Sequence, residues 1–251
     1  MRAQFHDHFS SHAFAYSEHR PFYPAELSTF LASIAPGRGQ VWDCGTGSGQ
    51  AAVVLAADFD RVVATDASAA QLAHAREHPR VEYRLAPERE SGLPTGSCDL
   101  VTAAQAAHWF DLPAFYQEAN RVLQPGGLLA IWCYNRTLVG PGIDPVIAAF
   151  QYQRVGPYWP SGREHTDAEY RTMPFPYERV GAPPLVMHQR WTRDQLIAYF
   201  GTWSSVRRCR EIEGADPIPD IVTALSSLWP DPEETRDVRW PLCVIAGHKP
   251  E

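Results

Sequence analysis

The sequence predicts an α/β fold built on a doubly wound, mostly parallel sheet. Three observations carry that expectation. Short apolar runs alternate with helix-patterned stretches from residue 40 to residue 134. A glycine-rich turn joins the first apolar run to the first of those helices. The runs Leu100-Val101 and Leu128-Leu129-Ala130-Ile131-Trp132 are apolar without alternation, as strands buried on both faces are. Alternation of strand and helix implies right-handed crossovers that cover the sheet on both sides.

Each element follows from local signals. Pro24 opens a stretch in which Leu27, Phe30, Leu31 and Ile34 recur at helical spacing, and Pro36-Gly37-Arg38-Gly39 ends it. Strand 40–44 then leads to helix 48–57, strand 61–65 to helix 68–78, and strand 81–85 to a loop. Strand 99–103 precedes helix 112–123, and Pro125-Gly126-Gly127 turns the chain into strand 128–134. Residues 136–190 change in character. They are rich in proline, aromatic and charged residues, with Tyr158-Trp159-Pro160 and Phe175-Pro176-Tyr177 as landmarks, and read as an insertion that caps the sheet tips. Thr192-Arg193-Asp194-Gln195 is a capping box for a helix over 193–200. A further helix spans 217–228, and Trp240-Pro241-Leu242-Cys243-Val244-Ile245-Ala246 reads as the last strand.

Composition narrows the function. Of 251 residues, 22 are Lys or Arg and 29 are Asp or Glu, a formal net charge of −7. With no basic run, a nucleic-acid substrate has no obvious landing surface. The five cysteines, Cys44, Cys98, Cys133, Cys209 and Cys243, are odd in number and widely spaced, which suits a reducing cytoplasm. The opening residues lack an apolar signal region, and no run of 18 apolar residues occurs, so no membrane partner is expected.

The turn Asp43-Cys44-Gly45-Thr46-Gly47-Ser48-Gly49 carries the most information. Glycine lets backbone approach a ligand closely. A second apolar run, Val62-Val63-Ala64-Thr65, ends on Asp66, where a carboxylate can accept from vicinal ribose hydroxyls or cap the helix beyond Ala67 and Ser68. A dinucleotide fingerprint spaces its third small residue one position later, and Gln50 occupies that slot. Asp43, two residues before the first glycine, would repel a pyrophosphate and attract an ammonium group. A nucleoside with a cationic amino-acid tail fits these residues, which is S-adenosylmethionine.

Here the chain resembles the class I S-adenosylmethionine-dependent methyltransferases, whose first motif is an acid followed by G-x-G-x-G. Gln105-Ala106-Ala107-His108-Trp109-Phe110-Asp111 resembles a segment of the methyltransferase type 11 branch that includes trans-aconitate methyltransferase-like proteins. Leu123-Gln124-Pro125-Gly126-Gly127 is similar to the turn before that family's fifth strand. The opening from Tyr16 through Arg20-Pro21-Phe22-Tyr23-Pro24, and Thr202-Trp203-Ser204 and Trp240-Pro241-Leu242 near the end, are similar to that branch too. The resemblance implies a seven-stranded, Rossmann-like sheet whose last strand enters antiparallel. It also implies S-adenosylmethionine as methyl donor, S-adenosylhomocysteine as product and a small-molecule acceptor. One departure stands out: Ala86-Pro87-Glu88-Arg89 displaces the acid the family places after the third strand, leaving Pro87, Glu88 and Arg89 as alternatives for the adenine contact.

The expected organisation is one methyltransferase domain over 1–251. It comprises an N-terminal lid and helix (1–36), a cofactor-binding core (37–135), a cap (136–190), and C-terminal helices with the last strand (191–251). Expected cofactor contacts are Asp43, Gly45, Thr46, Gly47, Gly49, Asp66, Ala67, Glu88 and Gln105. Expected substrate or lid residues are Tyr16, Arg20, Tyr23, Trp109, Arg136, Trp159 and Trp203. His108 is the candidate catalytic residue, against the alternative of a packed partner for Trp109. His74 and His78, four apart, lack a third ligand, so no metal is expected. A carboxylate acceptor needs no base, only a cation such as Arg20 or Arg136 to orient it. A phenol, hydroxyl or amine acceptor needs a base, and His108 is the first candidate. Two competing readings are a cofactor-binding regulatory protein without turnover and a nicotinamide-dependent oxidoreductase.

Overall fold

The computed structural model describes residues 20–251. Tyr16 therefore lies outside the described residues, with the rest of the expected lid before Arg20.

The expected parallel core is present. Strands β1 (Gln40–Cys44), β2 (Arg61–Asp66), β3 (Val81–Leu85), β4 (Cys98–Ala104) and β5 (Leu123–Tyr134) pair in the order β3-β2-β1-β4-β5. Every contact among these five is parallel. The chain ends in β8 (Thr235–His248), which runs antiparallel to β5 from Leu128↔His248 to Tyr134↔Leu242. On the far side of β8 lie β6 (Arg179–Val180) and β7 (Leu185–Thr192). They sit end to end, β6 against Ala246–Gly247 and β7 against residues 235–242, so eight segments fill seven positions across the sheet. The expected cap 136–190 thus does not stay clear of the sheet. Its last part supplies an edge.

Alternation along each strand divides the core into two layers. Leu128, Ala130, Trp132 and Tyr134 of β5 point to one side, with Val41, Val62 and Ala64. Leu129, Ile131 and Cys133 point to the other, with Trp42, Val63 and Phe115. Continuous apolar runs were needed for this, because both faces are covered. The first layer is closed by α1 (Ala25–Ile34), by α2 (Gln50–Leu55) and by the C-terminal helices α7 (Arg193–Gly201), α8 (Ser204–Glu213) and α9 (Ile218–Leu228). The second is closed by α4 (Leu112–Val122), through Phe115, Ala119 and Val122.

Local capping holds where the sequence placed it. Thr192 accepts from the Gln195 amide and the Gln195 side chain returns to the Thr192 amide, the reciprocal pair at the start of α7. The helix expected over 68–78 is shorter, however. Between β2 and β3, α3 (Ala69–Leu72) is a single turn. The Arg76 amide bonds the Ser48 carbonyl at 3.1 Å and the Tyr83 hydroxyl donates to the Arg76 carbonyl at 2.6 Å. These tertiary bonds draw the chain toward the glycine turn and take the groups a longer helix would need. His74 and His78 consequently share no helical face. Among the described residues no group of three metal-ligating side chains is assembled. No described helix is long and apolar enough to cross a membrane.

The stretch between β5 and β6 is more ordered than its composition suggests. It contains α5 (Asp144–Ala149), a π-turn (Phe150–Arg154), a 3-10 turn (Gly156–Tyr158) and α6 (Arg163–Asp167).

Candidate functional site

The C-terminal tips of β1, β2 and β4 open onto a cleft of about 400 Å³. Ligands of doubly wound sheets sit outside these tips, where strand order reverses. Gly45, Thr46 and Gly47 form one wall; Asp66 and Ala67 lie at the tip of β2; Pro87, Glu88 and Arg89 follow β3. Gln105, His108 and Trp109 close the floor after β4, and Tyr23 borders the same space.

The three glycines of the turn do different things. All have positive φ, at +68°, +56° and +79° for Gly45, Gly47 and Gly49. A Cβ on Gly45 would fall 2.7 Å from the Ala106 methyl and 2.8 Å from the Phe110 ring, so its bareness lets the post-β4 segment approach. Gly47 faces open cleft, with Gln71 3.7 Å from a Cβ built there. Gly49 does not line the cleft. A Cβ there would collide with the Tyr83 hydroxyl at 2.0 Å, so this glycine serves packing against β3 rather than the expected ligand contact.

Asp43 corrects a second expectation. Its side chain is wholly buried, beneath the turn and not in the cleft lining. One carboxylate oxygen accepts from Thr46 at 2.6 Å and the other from Thr102 at 2.7 Å. Burial raises its pKa from 3.8 to about 6, against the lowering by those two hydroxyls. Any attraction for an ammonium group acts through the turn and not by contact. Asp66 is at the cleft, and its two oxygens take the Gly47 and Ser68 amides, both at 2.8 Å.

A smaller pocket of about 60 Å³ adjoins the cleft, and Gln105, His108, Trp109 and Tyr134 border both. Trp159, Trp203 and Tyr199 supply its aromatic walls; Asn135, Gln151 and Ser204 add polar groups. Among the described residues its lining holds two guanidinium groups, Arg20 and Arg163, and no carboxylate. Arg20 is buried, donating to the Tyr134 hydroxyl at 2.9 Å and lying over the Tyr199 ring at 5.3 Å. Arg163 donates from Nε to Asp167 at 2.8 Å, reaches Asn135 from Nη2, and stacks 3.9 Å over Trp159. Its Nη1 has no protein partner among the described residues.

Arg136, expected here, lies elsewhere. Its side chain is 58% exposed and pairs with Glu169 at 3.6 Å, outside both linings. Arg163 occupies the position that sequence reasoning gave it. The signal was present in the cap, where Trp159 and Arg163 stand four apart at one-turn spacing, but only the fold says which way that turn faces. Gln105 lines the cleft with its amide engaged: Nε2 donates to the Tyr134 carbonyl at 3.1 Å, and Oε1 accepts the Tyr134 amide at 2.9 Å. Its backbone takes a left-handed φ of +52° to do this. His108 and Tyr170 meet at 2.7 Å, Nδ1 to hydroxyl, a partner no sequence signal indicated. Burial, then Arg163 and His165, push the imidazole pKa down to about 3.

The family profile described as a methyltransferase domain matches residues 42–131, the span from β1 through β5. A Dictyostelium discoideum protein named as a candidate methyltransferase is 32% identical over 253 residues, covering 98% of this chain and 96% of its own. The chain belongs to the class I S-adenosylmethionine-dependent methyltransferases. A solved structure of a candidate type II methyltransferase from Anaeromyxobacter dehalogenans superposes on it with a TM-score of 0.86. That protein is 44% identical to this methyltransferase, over 92% of this chain and 99% of the other. A Mycolicibacterium smegmatis protein named as an S-adenosylmethionine-dependent methyltransferase shares 36% identity over 48% of this chain and 47% of its own. The oxidoreductase reading falls with this assignment, as does a regulator without turnover.

The methyltransferase's residues fit its cofactor. The cleft is walled by bare glycine backbone and edged by a carboxylate. Two buried polar atoms beside it, Ser48 Oγ and Gln50 Nε2, have no partner among the described residues. Buried donors are seldom left so, and a polar ligand in the cleft satisfies them.

Proposed function

We propose that the acceptor is a small acidic molecule, methylated on a carboxylate oxygen in the pocket that holds Arg20 and Arg163. The observation that carries this reading is charge. In a chain of net charge −7, the described residues line this pocket with two guanidinium groups and no acid. A guanidinium fork matches two carboxylate oxygens, and Arg163 Nη1 is available for one of them.

S-adenosylmethionine, when bound, supplies an electrophilic methyl group on a sulfonium centre. The protein's part is placement and exclusion of water. Gly45, Thr46, Gly47, Asp66, Ala67, Glu88 and Gln105 are proposed to hold the cofactor, with Ser48 and Gln50 added on their orphaned atoms. Asp43 supports the turn from beneath and favours a cationic tail by its charge. Trp109, Trp159 and Trp203 wall the acceptor, and Tyr23 borders the cofactor side. Residues 136–190 close over the pocket within one domain spanning 1–251. Fixing donor and acceptor in one geometry removes much of the entropic barrier, and a carboxylate is already ionised at neutral pH.

The test is a panel of carboxylic acids, phenols and amines with mass detection of methylated product. Methyl esters should form from acids, and Arg163→Gln should lower their turnover roughly 10- to 100-fold with S-adenosylhomocysteine affinity unchanged, as loss of a charge-assisted bond does. Methylation confined to phenols or amines, or an Arg163→Gln enzyme with full activity on acids, overturns the reading.

A further inference from the structure

We propose that Tyr170 is a positioning residue that locks His108 as its Nε2–H tautomer, making the imidazole a hydrogen-bond donor to the acceptor and not its base. The geometry begins with the 2.7 Å contact between His108 Nδ1 and the Tyr170 hydroxyl. Either atom can donate across it, and the surroundings decide. Tyr170 is wholly buried, and Nδ1 is the one acceptor its hydroxyl meets among the described residues. Were Nδ1 to carry the proton, the phenolic O–H would be left buried with nothing to accept it, an arrangement native interiors avoid. The tyrosine therefore donates, Nδ1 accepts, and the imidazole's single proton sits on Nε2. No described residue bonds Nε2, and the ring borders both the cofactor cleft and the acceptor pocket.

The contact is built rather than incidental. Glu169 and Tyr170 both hold left-handed backbone, φ +53° and +58°, which non-glycine residues rarely adopt in succession. Strain of this kind persists where surrounding structure enforces it, and it clusters at functional sites. On the other side of the histidine, a Cβ on Gly162 would come 2.4 Å from the His108 carbonyl, so the cap needs a bare residue to seat His108. Burial first, then Arg163 and His165 of α6, disfavour a second ring proton. A neutral imidazole with its lone pair already spent on Tyr170 cannot take a proton from an acceptor. It can donate from Nε2 to an acceptor oxygen beside Arg163.

This rests on the placement of the acceptor in the small pocket, so the two are tested separately. Long-range proton–nitrogen NMR of the ¹⁵N-labelled protein with S-adenosylhomocysteine at neutral pH reads the tautomer without any acceptor. His108 signals, assigned by their loss in His108→Gln, should show protonated Nε2 and bare Nδ1, and Tyr170→Phe should give a mixture. A protonated Nδ1, or an imidazolium, overturns the proposal whatever the acceptor is. With an acceptor in hand, His108→Gln, whose amide can donate from near the Nε2 position, should retain at least ten times the kcat of His108→Ala. Equal loss in the two variants also overturns it.

Discussion

Asp43 is a carboxylate sealed from water and held by two hydroxyls, Thr46 and Thr102. Its pKa of about 6 in the fold exceeds the 3.8 of an exposed aspartate, so between those values the folded chain holds a proton that the unfolded chain has released. The stabilisation is full below pH 4 and lost as pH rises through 6, about 3 kcal/mol for a shift of this size. His108 acts with the opposite sign, its folded pKa of about 3 lying below 6.5, so the stability it contributes above pH 6.5 is lost as pH falls. Comparing urea unfolding of the wild type with Asp43→Asn from pH 4 to 7 isolates the first effect. Relative to the variant, the wild type should lose roughly 2 kcal/mol across that range. A constant difference would mean that the carboxylate is not buried as described. The sequence announced an important acid at this position by its place before the glycines. It could not show that two threonines, one of them 59 residues away, take both oxygens.

At the scale of elements, the turn between β1 and α2 was legible as a ligand cradle, but the division of labour within it was not. Positive φ at Gly45, Gly47 and Gly49 follows from local sequence, whereas the neighbour each one admits belongs to another strand. Gly49 is the clearest case, since its missing side chain accommodates Tyr83 of β3. Gly49→Ala should cost roughly 2–5 kcal/mol, combining left-handed backbone with overpacking. In a Tyr83→Ala background the same change should cost only about 1 kcal/mol, the backbone part alone. An equal cost in both backgrounds, read by chemical denaturation, would rule out the collision as the cause. The single-turn α3 teaches the same lesson. Helical pattern over 68–78 was real, and long-range bonds to Ser48 and Tyr83 overrode it. The smaller pocket was least legible, because Arg20, Tyr134, Arg163 and Tyr199 come from four separate segments and meet only once the sheet is complete.

For the whole molecule, the parallel core, the antiparallel final strand and the cofactor were all readable, since each depends on repeated patterns rather than one contact. The edge formed by β6 and β7 was not, because β6 has only two residues and most of β7 lies in the stretch whose proline, aromatic and charged content reads as a cap. Ligand linkage offers a global check. S-adenosylhomocysteine at 100 times its Kd should add about 2.7 kcal/mol of stability, which for a chain of this size corresponds to a rise of roughly 5–10 °C in Tm. NADH at the same concentration should leave Tm unmoved. A shift with NADH and none with S-adenosylhomocysteine would be incompatible with the cleft as assigned. Finally, β8 is the neighbour on which β5, β6 and β7 all depend, yet it is made of residues 235–248. During synthesis the apolar margin of β5 must wait, unpaired, until residues 235–248 have left the ribosome, about a hundred residues after β5 itself. That interval invites association between nascent chains and gives holdase chaperones something to bind.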